Sequence, residues 1–233
     1  MADEGSCLWY IRGLDFFPQL PPEEEQFLAS RSEMLDWSKG TEHDVSGGAK
    51  DTVYLLKRGR VAMVKSGSVR PVILDILGPG DIIGLATATT GGALPETVQA
   101  LEDALICQIR GDVLREILQR HGGVALQLFQ RVGLRRYRIE CRLLDMVYQT
   151  VPVRVARMLL ELDERYGENR DGRRVLAMAL RVGQLAALVG ANREATNRAL
   201  LSFADRGWLM WQGRHMVLSD LPGLRAFAYE EPL

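Results

Sequence analysis

Residues 190–201, GANREATNRALL, place arginine, glutamate and asparagine on a segment that has the apolar spacing of a helix. The polar side chains are Asn192, Arg193, Glu194, Asn197 and Arg198. An arginine can donate two hydrogen bonds to O6 and N7 of guanine, and a glutamate can accept one from the amino group of cytosine. A helix that presents these residue types in its first turns is therefore suited to contacts with base edges in a DNA groove.

The preceding segment, LRVGQLAALV, predicts a second helix that would hold the first one in place. In a helix-turn-helix, two helices meet at a steep angle across a turn of three or four residues. Ala186 is small enough for the position where the helices crowd each other, and Gly190 tolerates a positive φ in the turn. Asn192 is a favourable N-cap for the next helix. The sequence therefore predicts a helix-turn-helix here.

After this helix, WLMWQGRHMVL predicts two short strands joined by Gln212, Gly213 and Arg214. A hairpin at this place in the chain can form a wing beside the second helix. Its tip would bring Gly213 and Arg214 close to the DNA backbone, where phosphate contacts fix the register of the protein on the duplex. Both tip residues therefore belong to the candidate DNA-binding set.

The net charge of −1 conceals an uneven distribution along the chain. Residues 1–109 contain 9 Lys and Arg against 16 Asp and Glu, whereas residues 110–215 contain 19 Arg against 11 Asp and Glu. A basic C-terminal part is typical of a domain that meets a polyanion. The charge pattern thus agrees with double-stranded DNA as a partner.

Composition is that of an ordinary globular protein, with 47% hydrophobic and 25% charged residues among 233. No apolar run approaches the ~18 residues that span a bilayer. The N-terminal MADEGSCLWYIRG is acidic and lacks the basic and apolar regions of a signal peptide. We expect a cytoplasmic protein with no membrane partner.

Three cysteines, Cys7, Cys107 and Cys141, are widely spaced and form no CxxC pair, so they predict neither a disulfide framework nor a metal site. Oxidation of Cys107 or Cys141 is an alternative means of regulation. A hydrolytic site made of Cys141 and His121 is disfavoured, because 20 residues of one helix would separate the side chains by about 30 Å. We therefore expect no enzyme.

The chain before the helix-turn-helix contains two further patterns. Residues 53–109 alternate short apolar runs with KRG, KSGS and GPGD, which predicts short antiparallel strands that close into a barrel or roll. Residues 112–148 change to helical spacing and predict one helix of more than 25 residues. Its apolar stripe predicts a dimer interface, with packing against its own barrel as the alternative. The stripe consists of Ala125, Leu128, Val132, Ile139, Leu143 and Met146.

These patterns predict an α+β fold in three parts. Residues 1–111 would form N-terminal helices and an effector-type β-roll, similar to a jelly roll. Residues 112–149 would form the long dimerisation helix and a hinge. Residues 150–233 would form a winged helix-turn-helix domain, in which the segment ENRDGRR is a polar loop.

On these residues the chain resembles the CRP/FNR family of bacterial transcription factors over most of its length. The segments VYLLKRGRVAMV and ILDILGPGDIIG are similar to the family's cyclic-nucleotide-binding β-roll, and RVARMLL is similar to the helix after its hinge. LVGANREATNRALLSFADRGWL is similar to its recognition segment, whose R-E-x-x-x-R core corresponds to Arg193, Glu194 and Arg198. The resemblance implies a homodimeric regulator that binds a palindrome of TGTGA-like half-sites and works with RNA polymerase.

The resemblance also implies an effector pocket, although this chain departs from the cAMP-binding pattern. Members that bind cAMP carry a glutamate directly after the pocket glycine and an Arg-Ser pair further along. Here Gly84 is followed by Leu85, and the pair is replaced by Leu94 and Pro95. Because a buried phosphate without a cationic partner is costly, the sequence disfavours cAMP bound in the usual way and indicates no certain cofactor. The tentative pocket consists of Gly84, Leu85, Leu94, Pro95, Ile139 and Glu140.

Two forms of regulation stay open at this point. In the first, a small molecule other than cAMP, or oxidation of a cysteine, switches the affinity for DNA. In the second, the protein has no effector and its abundance sets DNA occupancy; the missing phosphate ligands favour this form slightly.

Overall fold

A computed structural model of the chain describes residues 20–46, 51–65, 71–85 and 96–229. The backbone divides into two compact units, Met1–Tyr137 and Arg138–Leu233. The division falls inside one long helix, within the predicted 112–149 segment.

The first unit is built mainly from antiparallel strands, as the alternating apolar pattern predicts. Its strands form two four-stranded sheets with the orders β1-β8-β3-β6 and β2-β7-β4-β5. The elements are α1 (Pro22–Ser30), β1 (Ser32–Trp37), β2 (Glu42–Asp44), β3 (Thr52–Arg58), β4 (Val61–Lys65), β5 (Val72–Leu77), β6 (Ile82–Ile83), β7 (Thr97–Ala100), β8 (Ala104–Arg110) and α2 (Gly111–Arg120).

The two faces of the first sheet support separate apolar cores. Successive residues of a strand point to opposite faces, so Val53 and Leu55 of β3 pack towards α1 and α2, whereas Leu56 faces the second sheet. Cys107 of β8 is fully buried on the helix side and acts there as a small apolar side chain. The prediction of an N-terminal β-roll within an α+β fold is confirmed.

The prediction of a single helix over residues 112–148 is wrong in one respect, because the helix is interrupted at His121 in the structure. Helix α2 ends at Arg120, His121 has the non-helical angles φ −122° and ψ 81°, and α3 (Gly122–Tyr148) begins immediately afterwards. Gly122 and Gly123 follow the break. Glycine has the lowest helix propensity after proline, so continuing one helix through this pair is unfavourable.

The second unit contains the end of α3, a helical domain and a third sheet. Helix α4 packs against α6 and α7, and the sheet has the order β11-β12-β10-β9. The elements are α4 (Val151–Tyr166), β9 (Gly167–Arg170), β10 (Arg173–Leu176), α5 (Val182–Leu188), α6 (Arg193–Asp205), β11 (Leu209–Gln212), β12 (His215–Leu218) and α7 (Leu221–Tyr229).

The prediction of a polar loop for ENRDGRR is wrong, because these residues belong to the hairpin of β9 and β10. Asp171 and Gly172 form its two-residue turn with φ of 50° and 75°. Positive φ at both central residues is the geometry that asparagine-glycine and aspartate-glycine pairs favour in tight hairpins. The sequence shows no apolar strand pattern here, because three of the four residues of β9 are polar and exposed.

No helix in the described part of the chain combines the length and the apolar content needed to cross a bilayer. Within the same residues, no three His, Cys, Asp or Glu side chains are grouped so as to hold a metal ion.

Candidate nucleic-acid interface

The turn between α5 and α6 has the geometry that the sequence predicts. Gly190 has φ +62°, and the backbone N–H of Ala191 donates to the carbonyl oxygen of Ala186 at 3.0 Å. A Cβ at residue 190 would lie 2.9 Å from the side chain of Met146. A glycine is therefore favoured here both by the backbone conformation and by the neighbouring side chain.

Asn192 caps the N-terminus of α6, as predicted. Its Oδ1 accepts a hydrogen bond of 2.7 Å from the backbone N–H of Ala195, and its carbonyl oxygen accepts one of 2.9 Å from the hydroxyl of Thr196. The helix therefore begins at Arg193. The cap satisfies one of the backbone donors that every helix N-terminus leaves unpaired.

Helix α6 has one buried face and one face that is open to solvent. The buried face consists of Thr196, Ala199, Leu200 and Phe203. All five predicted base-contacting or capping residues lie on the open side: Asn192, Arg193, Glu194, Asn197 and Arg198. The open side also carries Leu201, which the sequence analysis missed and which is 49% exposed.

An aromatic cluster fixes the C-terminal end of α6. The Phe203 ring lies 5.7 Å from Trp208 and 5.5 Å from Phe227, measured between centroids. The backbone N–H of Trp208 donates to Phe203 and that of Gly207 to Ala204, each at 2.9 Å, while Gly207 has φ +74°. This pair of hydrogen bonds is a Schellman ending. Both ends of α6 are therefore held by specific contacts.

The hairpin of β11 and β12 follows α6 directly, and its tip is open to solvent. Gly213 and Arg214 form the two-residue turn, with φ +62° at Gly213, and both residues are exposed. Met210 and Trp211 of β11 are also partly exposed. The predicted wing is thus present, although its turn is one residue shorter than predicted because Gln212 pairs with His215.

The apolar stripe predicted on α3 is only partly accessible. Leu128 is 4% exposed and packs into the core of the first unit, so it is not available to a partner. Ala125, Ile139 and Met146 are half-buried, whereas Val132 and Leu143 are exposed. The prediction for Leu128 therefore needs correction, because the chain's own core covers that side of the helix.

A second apolar row on α3 is exposed along its length. Its members are Leu126, Phe129, Tyr137, Leu144 and Val147, which we call the α3 ridge. They follow one another at intervals of three, eight, seven and three residues, and each interval is close to a whole number of helical turns. Phe129 alone is 74% exposed. A row of large apolar side chains in water is unusual for an isolated helix and is typical of an interface.

Arg135 attaches α3 to the β-roll within the first unit. Its Nη1 and Nη2 each donate to the carbonyl oxygen of Ile82 at 3.1 Å. Its guanidinium also lies 3.6 Å from the carboxylate of Asp81 and 4.0 Å from that of the fully buried Asp75. The guanidinium of Arg135 therefore faces its own domain.

The predicted effector pocket is only partly described. Gly84 has φ +78°, and a Cβ there would lie 2.9 Å from the carbonyl oxygen of Thr52, while Leu85 is half-buried. Leu94 and Pro95 lie outside the described residues, and Ile139 and Glu140 belong to the second unit. The pocket composed of these residues therefore stays a prediction.

A carboxylate that the sequence analysis did not identify lies beside this glycine. The carboxyl group of Glu96 lies beside the backbone of Gly84. Burial raises the pKa of Glu96, while the positive charges of Arg135 and Lys65 and the backbone of Gly84 act in the opposite direction. Glu96 follows Leu94 and Pro95 directly in sequence, but no short motif distinguishes it from the other glutamates of the chain.

Two of the three cysteines lie in the described part of the chain. Cys107 is buried and Cys141 is partly exposed on α3, whereas Cys7 lies outside the described residues. Of the two described thiols, only Cys141 is accessible to an oxidant.

The two parts of the chain match two known domain families. Residues 44–121 match the cyclic nucleotide-binding domain, and residues 153–227 match the Crp-like helix-turn-helix domain. The fold and the capped, exposed helix α6 thus define a transcription regulator with a helix-turn-helix DNA-binding domain. Together with the relatives described next, these matches show that the chain belongs to the CRP/FNR family.

Relatives and solved structures resemble nearly the whole chain. The CRP-like cAMP-activated global transcriptional regulator of Mycobacterium tuberculosis is 28% identical over 205 residues, which cover 88% of this chain and 92% of the relative. The cyclic AMP receptor protein of Thermus thermophilus is 28% identical over 201 residues, or 84% and 88% of the two chains. The structure of a CooA mutant from Carboxydothermus hydrogenoformans superposes with a TM-score of 0.75 and 18% identity, covering 96% of both chains.

Proposed function

We propose that this protein is a homodimeric, sequence-specific transcription regulator that binds a palindrome of two TGTGA-like half-sites in the cytoplasm and acts on RNA polymerase. The observation that carries the proposal is the start of α6 at Arg193. The Asn192 cap places Arg193 and Glu194 in the first turn of the helix, and Arg198 follows on the same open side. Base contacts in a helix-turn-helix come from this end of the recognition helix.

The three side chains have distinct roles in the proposed complex. Arg193 and Arg198 donate to the O6 and N7 atoms of guanine, and Glu194 accepts from the amino group of cytosine. Arg214 at the tip of the wing contacts a phosphate, together with the backbone N–H groups of its turn. None of the three side chains on α6 is needed for the core, since all are exposed.

The α3 ridge supports a dimer. Two copies of α3 that pack along Leu126, Phe129, Tyr137, Leu144 and Val147 would remove these side chains from water, which is the main favourable contribution to association. A two-fold dimer also presents two recognition helices to a palindromic site. The ridge therefore replaces the predicted stripe as the proposed interface, with Val132 and Leu143 at its edge.

A cyclic nucleotide does not fit the described residues of the β-roll in the usual way. The carboxyl group of Glu96 lies beside the backbone of Gly84, the glycine of the predicted pocket. Leu85 offers no acceptor for a ribose hydroxyl. A phosphate beside this carboxyl group would meet like-charge repulsion whenever Glu96 is ionised. We therefore propose DNA binding that does not require cAMP, in contrast to the relatives whose names include cAMP.

A second form of regulation rests on Cys141. It is partly exposed, and it lies on α3, the helix that carries the proposed dimer interface. Oxidation of this thiol would change the dimer equilibrium and thereby the affinity for DNA. A Cys141→Ser variant whose DNA binding responds to peroxide as the wild type does would exclude this form.

Fluorescence anisotropy with the purified full-length protein tests the main proposal. The probes are a labelled duplex with two TGTGA half-sites and a scrambled duplex of equal length, each without nucleotide, with cAMP and with cyclic di-GMP. We expect specific binding without nucleotide. Arg193→Ala should weaken it by about 1–3 kcal/mol on the matching site, whereas Arg173→Ala, a change at an exposed arginine of β10, should not.

Each alternative result has a defined meaning. Binding that appears only with cAMP would contradict the argument from Leu85 and Glu96. Equal binding to both duplexes, with equal effects of the two arginine variants, would contradict the assignment of α6 as the recognition helix. Specific binding only with cyclic di-GMP would identify a nucleotide effector other than cAMP.

A further inference from the structure

Leu201 is a large apolar side chain on the open face of α6, and it is 49% exposed. Its neighbour Leu200 is 1% exposed and supplies the core contact at this point of the helix. About half of the Leu201 side chain therefore stays in water, and the core of the domain does not account for a large apolar residue at this position.

The helical period places Leu201 among the residues that contact DNA in the proposed function. It follows Asn197 by four residues and Arg198 by three, and side chains at these spacings are neighbours on a helix surface. Arg193 lies eight residues earlier, about 12 Å along the helix axis. Leu201 is thus on the same face as Asn197 and Arg198, but further from the N-terminus of the helix.

The chemistry of leucine restricts what it can contact in a DNA groove. It donates and accepts no hydrogen bond, and it neutralises no phosphate charge. The apolar group that a duplex presents in the major groove is the C5 methyl group of thymine. Because base pairs are stacked about 3.4 Å apart, a displacement of about 12 Å along the helix brings Leu201 to a different base pair from the one that Arg193 contacts.

We propose that Leu201 is a specificity-determining residue that packs against the C5 methyl group of one thymine in each half-site. The proposal rests on α6 being the recognition helix, as proposed above. It adds a base preference that the R-E-x-x-x-R core does not contain. It also predicts that this preference is apolar, so that it depends on a methyl group and not on a hydrogen bond.

Replacement of thymine by deoxyuridine tests the proposal, because it removes only the methyl group. The wild-type protein first selects its preferred palindrome from a randomised pool of duplexes. Each thymine of that site is then replaced by deoxyuridine, one symmetric pair at a time, and the Kd is measured by anisotropy. At one position, we expect a loss of about threefold to fivefold per half-site, the range expected for one buried methyl group.

Variants of α6 separate Leu201 from its neighbours. Leu201→Ala should bind the thymine site more weakly and lose the deoxyuridine effect at that one position, whereas Leu201→Met should keep the effect. Arg193→Ala should bind more weakly while the ratio between the thymine and deoxyuridine sites stays the same. The salt dependence of Kd should be unchanged in Leu201→Ala, since no phosphate contact is removed.

The possible results are distinguishable. A position that is sensitive to deoxyuridine in the wild type and insensitive in Leu201→Ala supports the proposal. Sensitivity that persists in Leu201→Ala, or no sensitive thymine at all, overturns it while leaving the recognition helix in place. Failure of the wild type to select any site overturns the proposed function and this proposal with it. Circular dichroism of the variant confirms that α6 still forms.

Discussion

Truncation of Leu144 to alanine tests the α3 ridge as a dimer interface. In the isolated chain this side chain is 57% exposed, so a partner would bury the remaining surface. Complete burial of a leucine stabilises by roughly 1.5–3 kcal/mol, and the exposed fraction of Leu144 corresponds to about 1–1.5 kcal/mol per chain. Two-fold symmetry doubles the effect, because both chains lose the same contact.

A loss of about 2–3 kcal/mol predicts that the dimer Kd of Leu144→Ala rises by about 30-fold to 150-fold. Sedimentation velocity over a range of protein concentrations measures this constant directly. Thermal unfolding monitors the fold in parallel. Because Leu144 is not part of a core in the isolated chain, we expect the monomer to stay folded.

Leu201→Ala is the matched control. Leu201 is 49% exposed, but it lies on α6 and not on α3. We expect its dimer Kd to change by less than about threefold. An unchanged Kd in Leu144→Ala, or an equal increase in both variants, would refute the ridge as the interface.

Three further predictions concern single sites. Asn192→Ala should lower the unfolding free energy by about 1 kcal/mol in denaturant titration, whereas Asn192→Asp should retain most of the cap; equal losses would contradict the role of the Asn192 side chain. Arg135→Met removes two hydrogen bonds to Ile82 and the charge beside buried Asp75, so it should destabilise by about 2–3 kcal/mol, and Arg136→Met on the exposed side by less than about 1 kcal/mol. Burial raises the pKa of Glu96 above its value in the unfolded chain, so the native state favours the neutral form. The stability that this form confers is present at low pH and declines as the pH rises through the native pKa. Wild type should therefore lose stability relative to Glu96→Gln as the pH rises above about 4, the ordinary pKa of a glutamate, and a constant difference would contradict the burial of this carboxyl.

The sequence is most informative where one local pattern determines one structural feature. Asn192 is a good N-cap wherever an apolar-periodic helix follows it, so the start of α6 at Arg193 could be predicted without any tertiary information. The strands of the first unit are predictable for a similar reason, since short apolar runs such as Val53–Leu56 end at turn residues. The glycine pair after His121 and the Asp171–Gly172 pair are also local signals, the first of a helix break and the second of a tight hairpin turn.

Helix α3 shows what the sequence leaves undetermined. It carries two apolar rows, one with Leu128 and one with Leu144, and the helical period alone gives no reason to prefer either as an interface. The choice depends on which row the rest of the chain covers, and Leu128 is covered by the core of the first unit. The helical pattern likewise does not show which way Arg135 faces. Its partners, Ile82 and Asp81, are more than 50 residues away in sequence.

Glu96 could not be assigned from sequence because its role depends on a contact with Gly84 across the β-roll. The sequence shows that Leu85, Leu94 and Pro95 stand where the cAMP-binding pattern has its ligands. The structure adds that a carboxyl group of the chain itself lies beside Gly84.

The proposed dimer and the proposed absence of cAMP together determine what would control DNA occupancy. An effector shifts an equilibrium only through a difference in affinity for two states, and a carboxyl group already beside Gly84 leaves less to gain for an anionic effector. The monomer–dimer equilibrium then controls how much of the protein can bind DNA. Well below the dimer Kd, a twofold rise in total protein raises the dimer concentration about fourfold by mass action. Under this proposal Leu144→Ala loses DNA binding that a higher protein concentration restores, whereas Arg193→Ala loses binding even when every molecule is a dimer.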